Sequence, residues 1–229
     1  MKYLVLAYLF SLHVVAQKNI HHRWNTQLQK YVSETGQVDY QSWQKDQAPL
    51  IAYLNTLAQF PPQEEDSKNQ KLAYWINAYN ALTVLLILEN YPLNSIKDIQ
   101  SPWGQNVFQI GDKDYSLGDI EHKILRKMDE PRIHFAINCA SGSCPKLANR
   151  AYQEKQLEQQ LAKATQDFLR DPTKNYLLKD RLELSKIFLW FGRDFGTKKE
   201  LLQFISTYSG IKLDQPKIDY KPYDWKLNE

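Results

Sequence analysis

Residues 71–91, KLAYWINAYNALTVLLILENY, are the most apolar run in the chain, and the way they fold decides the architecture. Ser67, followed three residues later by Gln70, is a capping-box signature that opens a helix just before this run. From 82 to 88 the helix is apolar nearly all round, which predicts a central helix enclosed by the rest of the chain. Its length does not make it a membrane span. Asn77 and Asn80 interrupt its first half. Buried amides need hydrogen-bond partners, so these two either tie down neighbouring loops or face a site.

Upstream, Trp24, Leu28, Tyr31 and Val32 recur at helical spacing as far as Gly36, and Leu50, Ile51, Leu54 and Leu57 form a second helical face ended by Pro61 and Pro62. Downstream, 107–117 (VFQIGDKDYSL) is a hairpin pattern, and Ser116 caps a helix carrying Ile120, Ile124, Leu125 and Met128 on one side. The stretch 132–138, RIHFAIN, is expected as a strand. Pro145 is expected at the first position of a helix running to about Arg170. A second hairpin pattern covers 175–185, and a helix capped by Thr197 and Glu200 ends at Gly210. The aromatic residues of the tail predict that it docks on the body. Helices outnumber strands, the strands come as hairpins, and no linker or repeat appears. The expectation is therefore one α+β domain, with several helices around a small, mainly antiparallel sheet.

The 229 residues are 43% hydrophobic and 24% charged, enough to bury a core. The formal charge of +3 is scattered, so nucleic acid is not an expected partner. Residues 1–16 combine Lys2, an apolar run of about ten residues and small residues at positions 14 and 16, and they predict a secretory signal cleaved after Ala16. The mature domain, 17–229, is then exported to the periplasm or secreted, without a transmembrane segment.

Three groups of strings, KLAYWINAYNALTV, the pair YSLGDIEHKILR and RIHFAINCASGSCP, and LSKIFLWFGRDFG with the terminal YDWKLN, resemble an uncharacterised family known as domain of unknown function 547. The resemblance extends over essentially the whole mature chain. It implies an exported bacterial member and supplies no settled activity.

The chemistry is read from the residues. Between 119 and 144 lie Asp119, Glu121, His122, His134, Asn138, Ser141, Ser143 and both cysteines of the chain, Cys139 and Cys144. The loop 139–145, CASGSCP, can turn tightly and present free amides at the following helix N-terminus to an anion or a thiolate. A thiolate beside His134 or His122, with Glu121, Asp119 or Asn138 orienting the imidazole, has the logic of a thiol-dependent hydrolase or acyltransferase. Position favours Cys144 as the stabilised thiolate, because it is expected at the helix cap. Cys139, at the end of a regular strand, would point away from His134. The competing reading is a Cys139–Cys144 disulfide that staples the loop of a non-catalytic binding domain, a bond an exported chain permits.

Asn77, Asn80, Asn138, Ser141, Ser143 and the loop residue Trp103 are the candidate binding residues, for a small-molecule, peptide or glycan ligand. Trp75, Tyr79, Trp190, Phe191, Phe195 and Trp225 either line a groove or fill the core. The spacing of the His and Cys residues is not a recognised zinc pattern, and no nucleotide fingerprint is present. Neither a metal nor a cofactor is expected.

Overall fold

The computed structural model describes residues 20–229; the expected signal at 1–16 and the start of the mature chain at 17 lie outside them. In chain order the helices are α1 (His22–Tyr31), α2 (Tyr40–Gln44), α3 (Ala48–Gln59), α4 (Lys68–Asn90), α5 (Leu157–Arg170), α6 (Ile187–Trp190) and α7 (Lys198–Ser209). The strands are β1 (Asn106–Ile110), β2 (Lys113–Ser116), β3 (Tyr176–Leu177), β4 (Arg181–Leu184) and β5 (Lys217–Tyr220). Together they form a single α+β domain with two small sheets.

The central helix starts where its cap predicts: Ser67 Oγ accepts the Gln70 N–H at 3.0 Å and donates to Glu154 Oε1 at 2.6 Å. Along α4 nearly every side chain from Leu72 to Leu88 is buried, Asn77 and Asn80 included. By length and composition α4 could cross a bilayer, yet 89% of its apolar window is enclosed by the chain itself. Its polar pair ties down loops. Asn77 grips both backbone groups of Tyr152, at 2.8 and 3.0 Å, and Asn80 accepts from the Asn138 N–H at 2.8 Å while donating to the Ala136 carbonyl at 2.9 Å.

The hydrophobic interior has two lobes. One surrounds α4 and takes in Trp24, Trp43, Tyr53 and Ile120; the other joins Phe135, Phe168, Leu184, Phe188, Phe195 and Ile205 across α5, β4, α6 and α7. β1 and β2 pair antiparallel through the expected turn, where Gly111 takes φ +58°. β3 and β4 are also antiparallel, but β5 adds to β4 in parallel, an arrangement only the docked tail could supply. α7 has the full capping box of Thr197 and Glu200 and stops at Gly210 in the left-handed region.

Two expected elements differ. RIHFAIN is not a strand: Pro131–Phe135 is a 3-10 helix, started by Pro131 and by Glu130, whose side chain accepts the Arg132 N–H at 3.1 Å. Ile133, His134 and Phe135 are all buried, so a short helix enclosed on every side mimics the continuous apolar pattern of a buried strand. The parity argument turning Cys139 away from His134 therefore lapses.

Likewise no helix starts at Pro145. Asn138 Nδ2 takes the Pro145 carbonyl at 2.7 Å, Asn25 accepts from the Ala151 N–H at 3.1 Å and Asn77 holds Tyr152. Backbone groups engaged by these side chains cannot enter a helical ladder, and α5 begins only at Leu157, after the 3-10 turn Glu154–Gln156. Cys144 is consequently not at a helix N-terminus.

Candidate functional site

Where the two lobes meet is a cavity of about 230 Å³ that draws Tyr79 and Ile137 from one and Ile187 and Phe191 from the other. Glu121, His122, His134, Cys139, Cys144 and Trp103, dispersed in the sequence reading over a helix, a strand and two loops, all line it. Asn77, Asn80, Asn138, Ser141 and Ser143 are not among its lining residues.

The segment that follows Ser116 delivers Glu121 and His122. Ser116 and Asp119 cap it reciprocally: the Asp119 carboxylate accepts from Ser116 N and Oγ, at 3.0 and 2.8 Å, and Ser116 Oγ accepts the Asp119 N–H at 3.0 Å. Asp119 is thus spent on the cap. The expected helix is wound as a π-helix over Asp119–Ile124 and tightens to a 3-10 turn over Leu125–Met128, a distortion frequent at functional sites. Glu121 points inward, and Tyr79 donates to its Oε2 at 3.3 Å. Burial pushes the Glu121 carboxyl up to about 7, against the Tyr79 hydrogen bond and Arg126, which pull it down.

His134 Nε2 lies 2.7 Å from Asp194 Oδ2, and Arg126 grips the same carboxylate with Nε and Nη2 at 2.6 and 2.7 Å. Burial raises the Asp194 carboxyl, but Arg126 and His134 outweigh it and hold it below the usual range. Burial lowers His134 to about 4, against the opposing pull of Asp194. His134 is therefore neutral at pH 7 and donates its Nε2–H to the carboxylate, leaving Nδ1 as an acceptor. Its ring stacks on Phe191, 4.2 Å between centroids and 22° between planes. Arg126 Nη1 also donates to His122 Nδ1 at 3.2 Å. A guanidinium has no acceptor, so exposed His122 carries its proton on Nε2. Burial and then Arg126 lower its pKa, in the same sense.

Both cysteines are free thiols. Cys139 is partly exposed and Cys144 buried, and the Cys139 N–H donates to Cys144 Sγ at 2.9 Å. Cys139 Sγ is 3.2 Å from Ser141 Oγ and 3.3 Å from Tyr223 Oη, and Ser141 donates to Tyr223 at 3.3 Å. One proton per hydroxyl satisfies this as a chain in which Ser141 donates to Tyr223 and Tyr223 to sulfur. The Cys144 thiol lowers the Cys139 pKa most, burial raises it, and the Ser141 and Tyr223 hydroxyls bring it down further. Cys144 is raised well above an ordinary thiol, first by burial and then by Cys139. The electrostatics thus favour Cys139 as the thiolate, the reverse of the order that a helix cap at Cys144 would impose.

The loop amides are not free to hold an anion. Ala140 N donates to Asn138 Oδ1, Cys144 N to Ser141 O, and Gly142 N and Ser143 N to the tail carbonyls of Lys226 and Asp224, all at 2.7 to 3.1 Å. Ser143 Oγ accepts the Asp224 N–H at 2.8 Å, and Lys174 Nζ caps the Gly142 carbonyl. Ala140 takes φ +55°, a left-handed turn costing a side-chain-bearing residue about 1–2 kcal/mol, which this pinning sustains.

The remaining wall is aromatic. Trp190 stacks on Trp225 at 5.8 Å and 26°, Tyr223 lies 4.6 Å from Trp225, and Trp103 meets Trp225 edge-on. Trp190 is 45% exposed, so the platform opens to solvent. Among the described residues no Lys or Arg side chain lines the cavity. No hydrogen bond joins a sulfur to an imidazole, and no group of three His, Cys, Asp or Glu is arranged to hold a metal, among the described residues. Asp194, Arg126 and Tyr223 escaped the sequence reading. The available signals were an acid set among aromatic residues in WFGRDFG, and a tyrosine beside the tail tryptophan.

An α+β domain holding a cysteine pair against an aromatic cavity is the class these features define. Residues 63–169 match the family described as protein of unknown function, DUF547. The matched segment includes α4, Glu121, His122, His134 and both cysteines, but it is narrower than the resemblance and leaves out Asp194 and Tyr223. No curated protein and no solved structure matches the chain.

Proposed function

We propose that the chain is a thiol-dependent hydrolase or acyltransferase in which Cys139 is the nucleophile and Glu121 carries the proton. The observation that carries this reading is the position of Cys139, a partly exposed residue lining the cavity, whose Sγ has the Ser141 and Tyr223 hydroxyls at 3.2 and 3.3 Å. Cys139 gives its proton to the Glu121 carboxylate, and the thiolate adds to an acyl carbon seated against the aromatic wall. Negative charge develops on the carbonyl oxygen beside the hydroxyl of Tyr223, which takes the place of a backbone amide as oxyanion donor. Collapse expels the leaving group, which receives the proton from Glu121. Water or an acceptor nucleophile then attacks the thioester, gives its proton to Glu121 and releases the Cys139 thiol.

A carboxyl poised near pH 7 suits both directions of transfer. His134, fixed by Asp194 and stacked on Phe191, shapes the wall instead of serving as the base. A cavity without Lys or Arg suits neutral acyl groups with aromatic or apolar substituents. With residues 1–16 read as a secretory signal, the site works in the periplasm or outside the cell.

The test is a burst experiment with p-nitrophenyl phenylacetate. Stoichiometric nitrophenolate and a thioester mass on Cys139 are expected, with loss of both in Cys139→Ser and turnover lower by about 10²–10⁴-fold in Glu121→Gln. A native protein that forms no adduct on Cys139 overturns the reading. One isolated with a Cys139–Cys144 bond that resists mild reductant supports instead the stapled binding domain.

A further inference from the structure

The acyl-transfer cycle leaves Cys144 without a task, although its sulfur accepts the backbone N–H of the proposed nucleophile at 2.9 Å. We propose that Cys139 and Cys144 also form a working dithiol pair, which reduces disulfides carrying uncharged aromatic or apolar groups, with Cys139 attacking and Cys144 resolving. This rests on Cys139 being the reactive thiol and goes beyond it by assigning the second sulfur.

The geometry gives the two sulfurs different access and a shared contact. Both cysteines line the cavity with the aromatic wall, but Cys139 is partly exposed and Cys144 only 6% exposed. The left-handed turn at Ala140 brings the chain back so that the Cys139 N–H reaches Cys144 Sγ at 2.9 Å. An external disulfide can therefore meet only Cys139 first. Once a mixed disulfide forms there, Cys144 is an intramolecular nucleophile already beside the bond, an arrangement worth a large effective concentration. The loop keeps that arrangement because the tail pins Gly142 and Ser143 between the two cysteines. The higher pKa of buried Cys144 and the lower one of Cys139 accord with the same order of reaction.

In the first step the Cys139 thiolate attacks one sulfur of R–S–S–R′, forming Cys139–S–S–R and releasing R′–S⁻, which takes up a proton. In the second, Cys144 gives its proton to the Glu121 carboxylate and attacks Cys139 Sγ. The Cys139–Cys144 bond forms and R–S⁻ leaves, taking the proton from Glu121. The substrate gains two electrons and two protons, and the protein dithiol loses them. An external dithiol returns the pair to its reduced state.

The test uses the full mature protein, reduced and freed of reductant, with 2,2′-dipyridyl disulfide as a neutral aromatic probe and glutathione disulfide as an anionic one. Dipyridyl disulfide should release two equivalents of thiopyridone per chain. The adduct on Cys139 should be transient and give way to a species lighter than the reduced protein by two hydrogens. Cys144→Ser should stop at one equivalent, with a stable adduct on Cys139. Cys139→Ser should lose the fast phase. The rate ratio of the two probes should exceed that of N-acetylcysteine with the same pair.

A lasting single adduct on Cys139 of the unmutated protein, or independent labelling of both thiols, overturns the exchange reaction and leaves the acyl-transfer reading intact. A native Cys139 that neither probe nor ester modifies overturns both. The mass course of the unmutated chain decides the matter even where a variant does not fold.

Discussion

Glu121 is a carboxyl that the fold holds against its preference for water, and its pH behaviour has a definite sign. Its pKa is raised from 4.5 to about 7 by burial, so between these values the native state keeps a proton that the unfolded chain has released. Its contribution to stability is present below about pH 4.5 and is lost as pH rises through about 7. His134 and His21 run the other way: each is lowered from 6.5 to about 4, and their contributions are present above pH 6.5 and lost as pH falls through about 4. The opposing slopes overlap between pH 4.5 and 6.5, and removing Glu121 separates them. Glu121→Gln keeps an acceptor for Tyr79 and removes the buried charge. We expect it to match the parent near pH 4 and to exceed it above pH 7.5 by about 3 kcal/mol, from roughly 2.5 pKa units at 1.36 kcal/mol each. Urea unfolding at the two pH values measures the difference, and a gain independent of pH would show that the carboxyl titrates normally. The same variant should lose turnover, so stability and activity part company at this one residue.

At the scale of elements, α4 organises the site through polar side chains on an otherwise apolar rod. Asn80 joins it to the segment leading to Cys139, through Ala136 O and Asn138 N, and Asn138 in turn holds Ala140 N and Pro145 O at either end of the reactive loop. Asn80→Ala strands two buried backbone groups. It should cost about 2–6 kcal/mol in chemical denaturation, at roughly 1–3 kcal/mol per group, and it should slow alkylation of Cys139 through the loosened loop. A loss below about 1 kcal/mol would mean that water takes over both bonds.

This relay explains what was legible beforehand. The cap at Ser67, the all-round burial of α4 and the need of Asn77 and Asn80 for partners are local properties and could be read directly. So could the concentration of Glu121, His122, His134 and the cysteines in one stretch. The partners that give those groups their character were not legible, because Asp194 is 60 positions from His134 and Tyr223 is 84 from Cys139. The missing helix at Pro145 has a similar origin: Asn138, seven residues away, and the remote Asn25 and Asn77 outbid the local propensity, and no window around 145–156 contains the last two. The expected preference for Cys144 over Cys139 rested on this helix and on the strand expected over 132–138, and neither forms.

At the scale of the whole molecule, the last residues act as a clasp over everything the site needs. After β5 the chain crosses the reactive loop, where Asp224 and Lys226 carbonyls accept from Ser143 and Gly142 N–H. It then reaches the opposite side of the core, where Leu227 N–H donates to Asn94 O and Asn228 O accepts from Val38 N–H. Asn228 Oδ1 also accepts from Tyr40 Oη at 2.9 Å. The clasp places Tyr223 on Cys139 and Trp225 on the aromatic wall, so its loss should remove reactivity as well as stability. Two variants separate these effects. Tyr223→Phe deletes one hydroxyl and keeps the ring against Trp190 and Trp225. A hydrogen bond to a charged acceptor is worth about 1.5–3 kcal/mol, so the Cys139 thiolate should become scarcer and iodoacetamide labelling at pH 7 slower by roughly tenfold or more, with the midpoint of the pH–rate curve moved up and the melting temperature little changed. Deleting residues 222–229 removes the hydroxyl, the pins on Gly142 and Ser143 and the burial of Leu227, itself worth about 2 kcal/mol. The deletion should melt earlier, and its labelling should respond less to pH, because the unpinned loop no longer presents Cys144 to Cys139. Equal pH–rate curves for the parent and Tyr223→Phe would assign the lowered pKa to Cys144 and Ser141. A truncated protein that labels like the parent would mean that the loop holds its shape without the tail, leaving the clasp to stability only.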